Sequence, residues 1–391
     1  MNTRLLPAFV AVLGLGLSLP AAALQDCEID GKAVNPDNGA TTAGKTGLLR
    51  CRDRDSGQLL REQELQNGAY VGLVRHYRNG KLEQEFSVNA RGNRDGRSRQ
   101  FDPDSGRVLR EETLSDGRTV GLAQTFHKDG QRARLSYHED RGEARAYVEF
   151  NTRGQLSGLR CGDRPLLGKQ VDEAALCGFG AREPVLTTLY GNDGNAREKL
   201  SYREGRIVAA ESLWRNGKPQ RRETFHGDGG GIEQQFDEQG TKRKETRWLP
   251  AERGRVKELE QEFHDSGTLL REQRWTGGTL AAERRWYLNG QLRAESTYVD
   301  AGGTRLRRSK EFNDNGTPAF EGSFRLEGRY DERPQGTQRR YDGNGQLQQE
   351  LIYDERGRLT RQREFDAKGS LTRDDAVFED GSRKAYAAPA H

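Results

Sequence analysis

The sequence is poor in the apolar residues from which compact cores are built. Hydrophobic residues make up 32% of the chain, charged residues another 32%, and the mean hydropathy is −0.98. This composition argues against several ordinary compact domains and approaches that of disordered chains. The net charge is only +4, however, so self-repulsion does not force the chain open. Basic and acidic residues are interleaved without a basic block, which argues against a nucleic-acid partner.

Long apolar runs are equally scarce, and the one that occurs is N-terminal. Arg4 precedes an apolar stretch over residues 5–19, which ends in Ala21-Ala22-Ala23. A positive start, a short apolar stretch and small residues are typical of a secretory signal, and the stretch is short for a membrane span. We therefore predict a signal peptide over residues 1–23, cleaved after Ala23, and a periplasmic location. Membrane contact is not expected.

Cysteine occurs only four times, at Cys27, Cys51, Cys161 and Cys177. An even number in an oxidising compartment predicts two disulfides, for which three pairings are possible. We favour Cys27–Cys51 and Cys161–Cys177, because near neighbours in sequence close the smallest loops. No Cys-x-x-Cys and no paired histidines accompany them, so neither a metal nor another cofactor is expected.

Catalytic motifs are absent or lack their context. Residues 39–46 match the P-loop pattern, but no buried strand precedes them and Gly47 follows directly, so nucleotide binding is not expected. There is no His-Glu-x-x-His and no Gly-x-Ser-x-Gly, and the repeat spreads the carboxylates evenly along the chain. The sequence therefore offers no site for an enzyme.

What the chain has in abundance is a repeat of glycine turns and aromatic residues. An aromatic residue recurs just before a turn glycine about every 24 residues, and about every 12 near the C-terminus. Asn-Gly pairs such as Asn79-Gly80 and Asn216-Gly217 predict hairpin turns, since both residues tolerate positive φ. The chain is therefore predicted to be all-β, a meander or solenoid of antiparallel hairpins. The predicted repeat core comprises Tyr77, Phe101, Phe126, Phe150, Tyr190, Trp214, Phe236, Phe263, Tyr287, Phe312, Tyr341, Tyr353 and Phe365.

Each module also has an internal order. The second and eighth residues after the turn glycine are apolar, as in Leu347 and Tyr353, and the fifth is often acidic, as in Glu350. Even offsets share a face of a strand, so we predict one apolar face and an acidic row on the other. Basic residues must balance the stacked glutamates. Basic residues at the fourth position share the apolar parity, so strict alternation cannot hold in every unit; a bulge at the turn would resolve this conflict. We interpret the row as a solvated ladder; a charged stripe for a partner is the alternative.

The rhythm of the repeat divides the chain. Phe150 and Tyr190 are 40 residues apart, and two cysteines lie between them. We predict an N-terminal cysteine-closed segment over residues 24–50, a first β-repeat array over 51–150 and a cysteine-bounded insertion over 151–189. A second β-repeat array over 190–386 and a tail over 387–391 follow. We predict partner contact at Trp286, which should point away from Tyr287, and at Arg164 and Phe179 of the insertion.

The unit at residues 287–298, with its Asn-Gly turn, leucine, glutamate and final tyrosine, resembles the MORN-repeat variant of the YwqK antitoxin type. The resemblance covers most of residues 51–386. It implies a non-catalytic β-repeat protein that binds a protein partner. For exported relatives it implies an immunity protein that blocks the active site of a secreted toxin, such as a phospholipase delivered by type VI secretion. A structural scaffold of the cell envelope is the alternative.

Overall fold

The computed structural model describes residues 24–139, 142–328 and 331–385. The predicted signal peptide and the predicted tail lie outside the described residues. Nearly all of the described chain forms antiparallel strands, which confirms the all-β prediction. The described residues form two compact units, one ending at Gly154 and the other beginning at Gln155.

The first unit is one antiparallel sheet in which successive strands are neighbours. Within this unit, the hydrogen-bonded order of the strands runs from β11 down to β3, followed by β1 and β2. A single helical turn, α1 (Gly39–Thr42), occupies part of the P-loop-like stretch. The strands are β1 (Gln25–Ile29), β2 (Lys32–Val34), β3 (Gly47–Asp53), β4 (Leu59–Gln66), β5 (Ala69–Arg78), β6 (Lys81–Val88), β7 (Arg94–Phe101), β8 (Val108–Ser115), β9 (Arg118–Phe126), β10 (Arg132–His138) and β11 (Ala144–Phe150).

The second unit begins with β12 (Leu156–Arg160), the helix α2 (Glu173–Cys177) and a sheet in strict sequence order from β13 to β29. A 3₁₀ turn at Gly168–Gln170 precedes α2. The sheet comprises β13 (Val185–Tyr190), β14 (Ala196–Arg203), β15 (Arg206–Leu213), β16 (Pro219–Phe225), β17 (Gly231–Phe236), β18 (Lys242–Pro250), β19 (Arg255–Phe263), β20 (Leu269–Thr276), β21 (Thr279–Trp286), β22 (Leu292–Ala301), β23 (Thr304–Phe312), β24 (Pro318–Leu326), β25 (Glu332–Tyr341), β26 (Leu347–Tyr353), β27 (Leu359–Phe365), β28 (Leu371–Val377) and β29 (Arg383–Ala385).

The Asn-Gly turns are of two kinds. At Asn79-Gly80 both residues have positive φ, +52° and +74°, as predicted. At Asn216-Gly217 only the glycine does, at +81°, and the predicted hairpin turn is present there too, between β15 and β16. That loop is longer, because the Trp214 N–H donates to the Lys218 carbonyl at 2.8 Å. The longer loop leaves the asparagine free to hydrogen-bond outward, and its Nδ2 donates to the Glu238 carbonyl in the next turn on this side at 2.7 Å.

The bulge that the repeat requires is present beside the turns. In the hairpin of β26 and β27, Ile352 faces Arg361 and Tyr353 faces Leu359, so Thr360 is an extra residue. The same register shift recurs in most hairpins of both units. Such a bulge reverses the parity of the strand after the turn.

The bulge makes the prediction of a single apolar face wrong. Tyr341 and Leu347 face each other beside the turn, and two residues from Tyr341 toward the strand centre Arg339 faces Glu350. The aromatic residue before the turn therefore shares a face with the acidic fifth position. The eighth-position residue Tyr353 lies at the other end of its strand, on the opposite face. Each face of the sheet thus carries apolar residues, but at opposite ends of the strands.

Both predicted disulfides are confirmed, Cys27–Cys51 and Cys161–Cys177. The first joins directly opposed residues of β1 and β3. Around it lies a small apolar cluster to which Ile29, Leu49 and Leu65 contribute. The predicted N-terminal segment is therefore the start of the first sheet, because its strands β1 and β2 pair within that sheet.

Candidate functional site

A row of alternating charges crosses the first sheet on one face. Each strand contributes one residue, and each of these residues lies directly opposite the next across the antiparallel ladder. We call this row, and its counterpart in the second unit, the charge ladder. In the first unit it comprises Glu28, Arg50, Glu62, Arg75, Glu85, Arg99 and Glu111, and then the uncharged Gln124, Leu135 and Val148.

Ion pairs join the successive members. Glu62 is held by Arg50 Nε at 3.1 Å and by Arg75 Nη1 at 3.5 Å. Arg75 Nε also reaches Glu85 at 2.8 Å, and Arg99 Nη2 reaches the other oxygen of Glu85 at 2.5 Å. Glu62, Arg75 and Glu85 therefore each lie between two side chains of opposite sign. Opposed pairs of opposite charge stabilise adjacent strands, and here the two sides of each residue act together.

The second unit repeats this arrangement over a longer sheet. One residue of each strand from β13 to β28 belongs to the charge ladder, and at two places a glutamine stands where the neighbouring strands carry charged residues. The row comprises Thr188, Lys199, Glu211, Arg222, Gln234, Glu245, Gln261, Glu272, Arg284, Glu295, Lys310, Glu321, Arg339, Glu350, Arg363 and Asp374.

The carboxylates of the ladder are more buried than a solvated row would be. The side chain of Glu350 is only 11% exposed, that of Asp374 8% and that of Glu245 10%. Long side chains beside them cover these carboxylates and satisfy their oxygens. Arginines hold Glu350 from both sides, Arg361 and Arg363 hold Asp374, and Lys242 and Gln234 donate to Glu245. The interpretation as a solvated ladder is therefore wrong for these residues. The ladder is a polar core within a single sheet.

The protonation chemistry follows from this packing. Burial raises the pKa of Glu350, but hydrogen bonds from Arg339 Nε at 2.9 Å and Arg363 Nη1 at 3.2 Å outweigh it, so the pKa lies below its usual value. The same balance lowers the pKa of Glu62. Burial, together with donation to Glu62 at 2.8 Å, raises the pKa of Tyr77 to about 12.

The second ladder is interrupted at β23. Lys310 lies between Glu295 and Glu321 in the register, but it makes no ion pair in the described part of the chain. Glu295 is instead 3.7 Å from Arg284, and Glu321 accepts a hydrogen bond from the Tyr341 hydroxyl at 3.3 Å. The ladder cation of β23 is thus exposed and available.

The insertion packs onto the start of the second sheet. The irregular part lies between Arg160 and Val185, with α2 against β13 and β14. Asp172 caps α2 by accepting from the Ala175 N–H at 3.0 Å. Glu173 is buried and accepts from the N–H groups of Leu166 and Leu167 at 2.8 and 2.6 Å. These bonds and the disulfide fix the insertion as a cover on the edge strand β13.

The structure does not bring the three predicted contact residues together. Phe179 is half-buried against Gly205, and Arg164 is exposed. Trp286 lies on β21, six strands from β15, which corresponds to about 29 Å. It is half-buried and opposite Leu292, at the position that Tyr341 occupies in its own hairpin. The expected outward orientation of Trp286 is therefore wrong, because the turn begins at Tyr287, whose hydroxyl donates to the Phe312 carbonyl at 2.8 Å.

Sequence reasoning identified the acidic half of the ladder and missed its basic half. Glu62, Glu85 and Glu350 are the fifth residues of their modules, and this spacing is fixed. Their partners Arg75 and Arg339 precede the next turn glycine by five and six residues, and no constant offset identifies them. The signal that could have found them is the requirement for a cation opposite each stacked glutamate.

Other kinds of site find no support in the described residues. Among residues 24–139, 142–328 and 331–385, no group of three or more histidine, cysteine, aspartate or glutamate side chains could hold a metal ion. Over the same ranges, no helix combines the length and apolar character that a membrane span requires. The P-loop-like stretch forms α1 and a loop packed on the turn at Asn67-Gly68, where the Gly68 N–H donates to the Lys45 carbonyl at 2.7 Å.

Comparison with protein families identifies the repeat. The MORN repeat variant matches residues 281–300 and 334–355. The first match covers most of β21 and most of β22, and the second covers most of β25 and all of β26, so each corresponds to one hairpin of the second sheet. MORN repeats indicate a protein-binding, non-catalytic repeat protein. No curated protein matches the sequence.

Solved structures offer only a distant likeness. One is described as the crystal structure of TcdB2-TccC3-Cdc42, with 11% identity, 88% of this chain covered, 21% of that chain covered and a TM-score of 0.17. Another is TcdB2-TccC3 without the hypervariable C-terminal region, with 11% identity, 88% and 20% coverage and a TM-score of 0.18. The chain spans about a fifth of the length of these proteins. Similarity at this level carries no argument about function.

Proposed function

We propose that this is a periplasmic immunity protein, an antitoxin that neutralises a secreted effector by occupying its active-site cleft or substrate face. The observation that carries the proposal is the charge ladder on a MORN-type repeat. It fixes a long row of side chains on a preformed sheet. A surface already ordered before binding loses little conformational entropy in the complex, so contact area converts more fully into affinity.

The electrostatics of the described residues support a binding role over a catalytic one. A general acid at neutral pH needs a carboxyl whose pKa is raised. The paired carboxylates of the ladder, such as Glu62, Glu245 and Glu350, have pKa values below the usual one because cations or amides hold them. They are therefore suited to holding the sheet together and to presenting charge, and not to transferring protons.

The two disulfides support an extracellular or periplasmic location, because such bonds persist in oxidising compartments. An effector that acts on the envelope would meet an immunity protein in the same compartment. The proposed cleavage after Ala23 would deliver the mature chain there.

The test has two stages. First, the exported protein carrying a C-terminal tag is captured from its own cells, and partners present in equal amount are identified. Second, each partner is produced alone in the periplasm of a host, and then together with this protein. We expect the partner to arrest growth alone and co-production to restore growth. The chain without residues 1–23 is the control, because it should stay in the cytoplasm and fail to protect.

Two results would count against the proposal. A stoichiometric partner that is harmless in the periplasm is not a toxin, and a toxic partner whose effect persists on co-production is not neutralised. If the captured proteins are resident envelope proteins and deletion of the gene weakens the envelope in the absence of any toxin, the scaffold alternative replaces the immunity role.

A further inference from the structure

A second row of residues runs beside the charge ladder on the same face of the second sheet. It contains one residue from each strand, continued across an irregularity between β24 and β25. The row comprises Leu186, Ser201, Ala209, Thr224, Ile232, Arg247, Leu259, Arg274, Ala282, Thr297, Arg308, Ser323, Thr337, Ile352, Arg361, Ala376 and Lys384. It includes five cations and no carboxylate, and we call it the basic row.

The basic row is most open at β23. Arg308 is exposed and makes no ion pair or hydrogen bond in the described part of the chain. Directly opposite it are the hydroxyl residues Thr297 and Ser323. Lys310, the unpaired ladder cation, lies two residues along the same face of the strand, about 7 Å away. Two free cations of β23 and one small hydroxyl side chain from each neighbouring strand thus lie side by side.

The backbone deepens this place into a groove. Glu321 faces Arg339 and Ser323 faces Gln335, so three residues of β25 stand opposite the single Gly322. Bulges of this kind occur preferentially beside binding and active sites. A groove of about 330 Å³ lies here, lined by the two free cations of β23 and by Glu295, Thr297, Glu321, Ser323 and Thr337.

A third cation lies further along the basic row, beyond the groove. Arg274 lies three strands from Arg308, about 14 Å at the spacing of paired strands. Its Nε donates to Glu272 at 2.8 Å, but its side chain is 60% exposed. The residues between the two arginines are Ala282 and Thr297, whose short side chains let another backbone approach closely.

We propose that this groove binds an extended, acidic segment of the partner protein, with one carboxylate between Arg308 and Lys310 and a second on Arg274. Extended residues four apart point to the same side and span about 14 Å, which matches the separation of the arginines. Glu295 and Glu321 flank Lys310, and they disfavour a phosphate of higher charge or an anionic lipid surface more than a single carboxylate. This inference names the partner chemistry for the proposed function and rests on it.

The test uses a synthetic peptide and the full mature protein. The fluorescent peptide carries two glutamates four residues apart in a serine-glycine background, and binding is measured by anisotropy at low ionic strength. The first control peptide has glutamine at both positions, and the second has the glutamates three residues apart. We expect the peptide with its glutamates four residues apart to bind more tightly than either control peptide. Arg308→Gln should weaken it about fivefold, the loss expected for one partly exposed ion pair.

Arg340→Gln is the matched control variant. Arg340 is exposed and unpaired in the described residues, but it lies on the opposite face of β25, so the same change in charge should leave binding within 1.5-fold. Equal losses for both variants, or equal binding of the glutamate and glutamine peptides, would overturn the proposal. The proposal would also be overturned if the Arg308 variant bound phosphatidylglycerol vesicles more weakly but bound the glutamate peptide unchanged, because this would indicate a lipid ligand. The assay needs no toxin, so its outcome and that of the growth test are independent.

Discussion

Glu350 provides the most direct test of whether the charge ladder stabilises the sheet. The change is Glu350→Gln, which keeps the shape and removes the charge. Two charge-assisted hydrogen bonds are weakened, from Arg339 and Arg363. These arginines are 42% and 30% exposed, so solvent screens each bond to about 1 kcal/mol. The expected loss is about 2 kcal/mol at pH 7.

Hydrogen exchange measures this loss locally. In a repeat protein each unit contacts only its neighbours, so the effect should be confined to the strands next to β26. Amides of β25, β26 and β27 should exchange about 30-fold faster, which is the equivalent of about 2 kcal/mol. Amides of β14 to β16 should be unchanged. Glu355→Gln is the control, because Glu355 is exposed and no side-chain contact of its carboxylate is present in the described residues.

The direction of the pH dependence of this loss follows from the pKa of Glu350. The folded pKa of Glu350 lies below the usual value of about 4.5. Its contribution is therefore complete above that value and is lost as the pH falls through the folded pKa. The exchange rates of the unchanged protein and of the Glu350→Gln variant should therefore become equal in acid. Equal exchange in Glu350→Gln and Glu355→Gln at pH 7, or faster exchange throughout the sheet, would refute the reasoning.

Two further predictions concern the whole chain and the insertion. Because hydrogen bonds outweigh burial at many ladder carboxylates, including Glu62, Glu85 and Glu245, the urea midpoint should fall steeply below about pH 4, and a midpoint that stays level there would contradict this. The pKa of His76 is lowered, mainly by burial, so a separate loss of stability is expected as the pH falls through the usual histidine value of about 6.5. Replacing Cys161 and Cys177 by serine should lower the free energy of unfolding of the insertion by about 3 kcal/mol. Amide hydrogen exchange should then be faster in α2 and β13 and unchanged in β25 to β28. Replacing Cys27 and Cys51 by serine should affect the first sheet only.

The sequence was sufficient for the architecture because the signals that specify it are local. Glycine turns, alternating residues and the 12-residue period of Tyr341, Tyr353 and Phe365 all lie within one hairpin. The disulfide pairing followed from short separations. These features need no knowledge of which residues meet across strands.

The details of the surface depended on register, and register depends on loop geometry. One extra residue beside a turn reverses the face of every residue after it. Without knowing where Thr360 bulges, the strand that starts at Leu359 cannot be assigned to a face. For the same reason the sequence pattern places Tyr287 in the repeat core and predicts that Trp286 points outward. Both residues are aromatic, and only the position where the turn starts decides which one packs within the sheet.

A charge swap distinguishes a ladder from a set of separate ion pairs. In the order Arg339, Glu350, Arg363 and Asp374, exchanging the middle two creates one good contact and two like-charged ones. Glu350→Arg with Arg363→Glu should therefore remain destabilised, because like charges directly opposite each other repel.

The control is a pair with an uncharged neighbour. Arg134 and Glu149 are 2.7 Å apart, and the strand on the other side of Arg134 presents Thr125. The corresponding swap there should recover most of the stability that either single change removes. Double-mutant cycles measured by hydrogen exchange give both coupling energies. Full recovery in the swap of Glu350 and Arg363 would mean that the pairs act independently, and the ladder would then be a row of neighbours without mutual support.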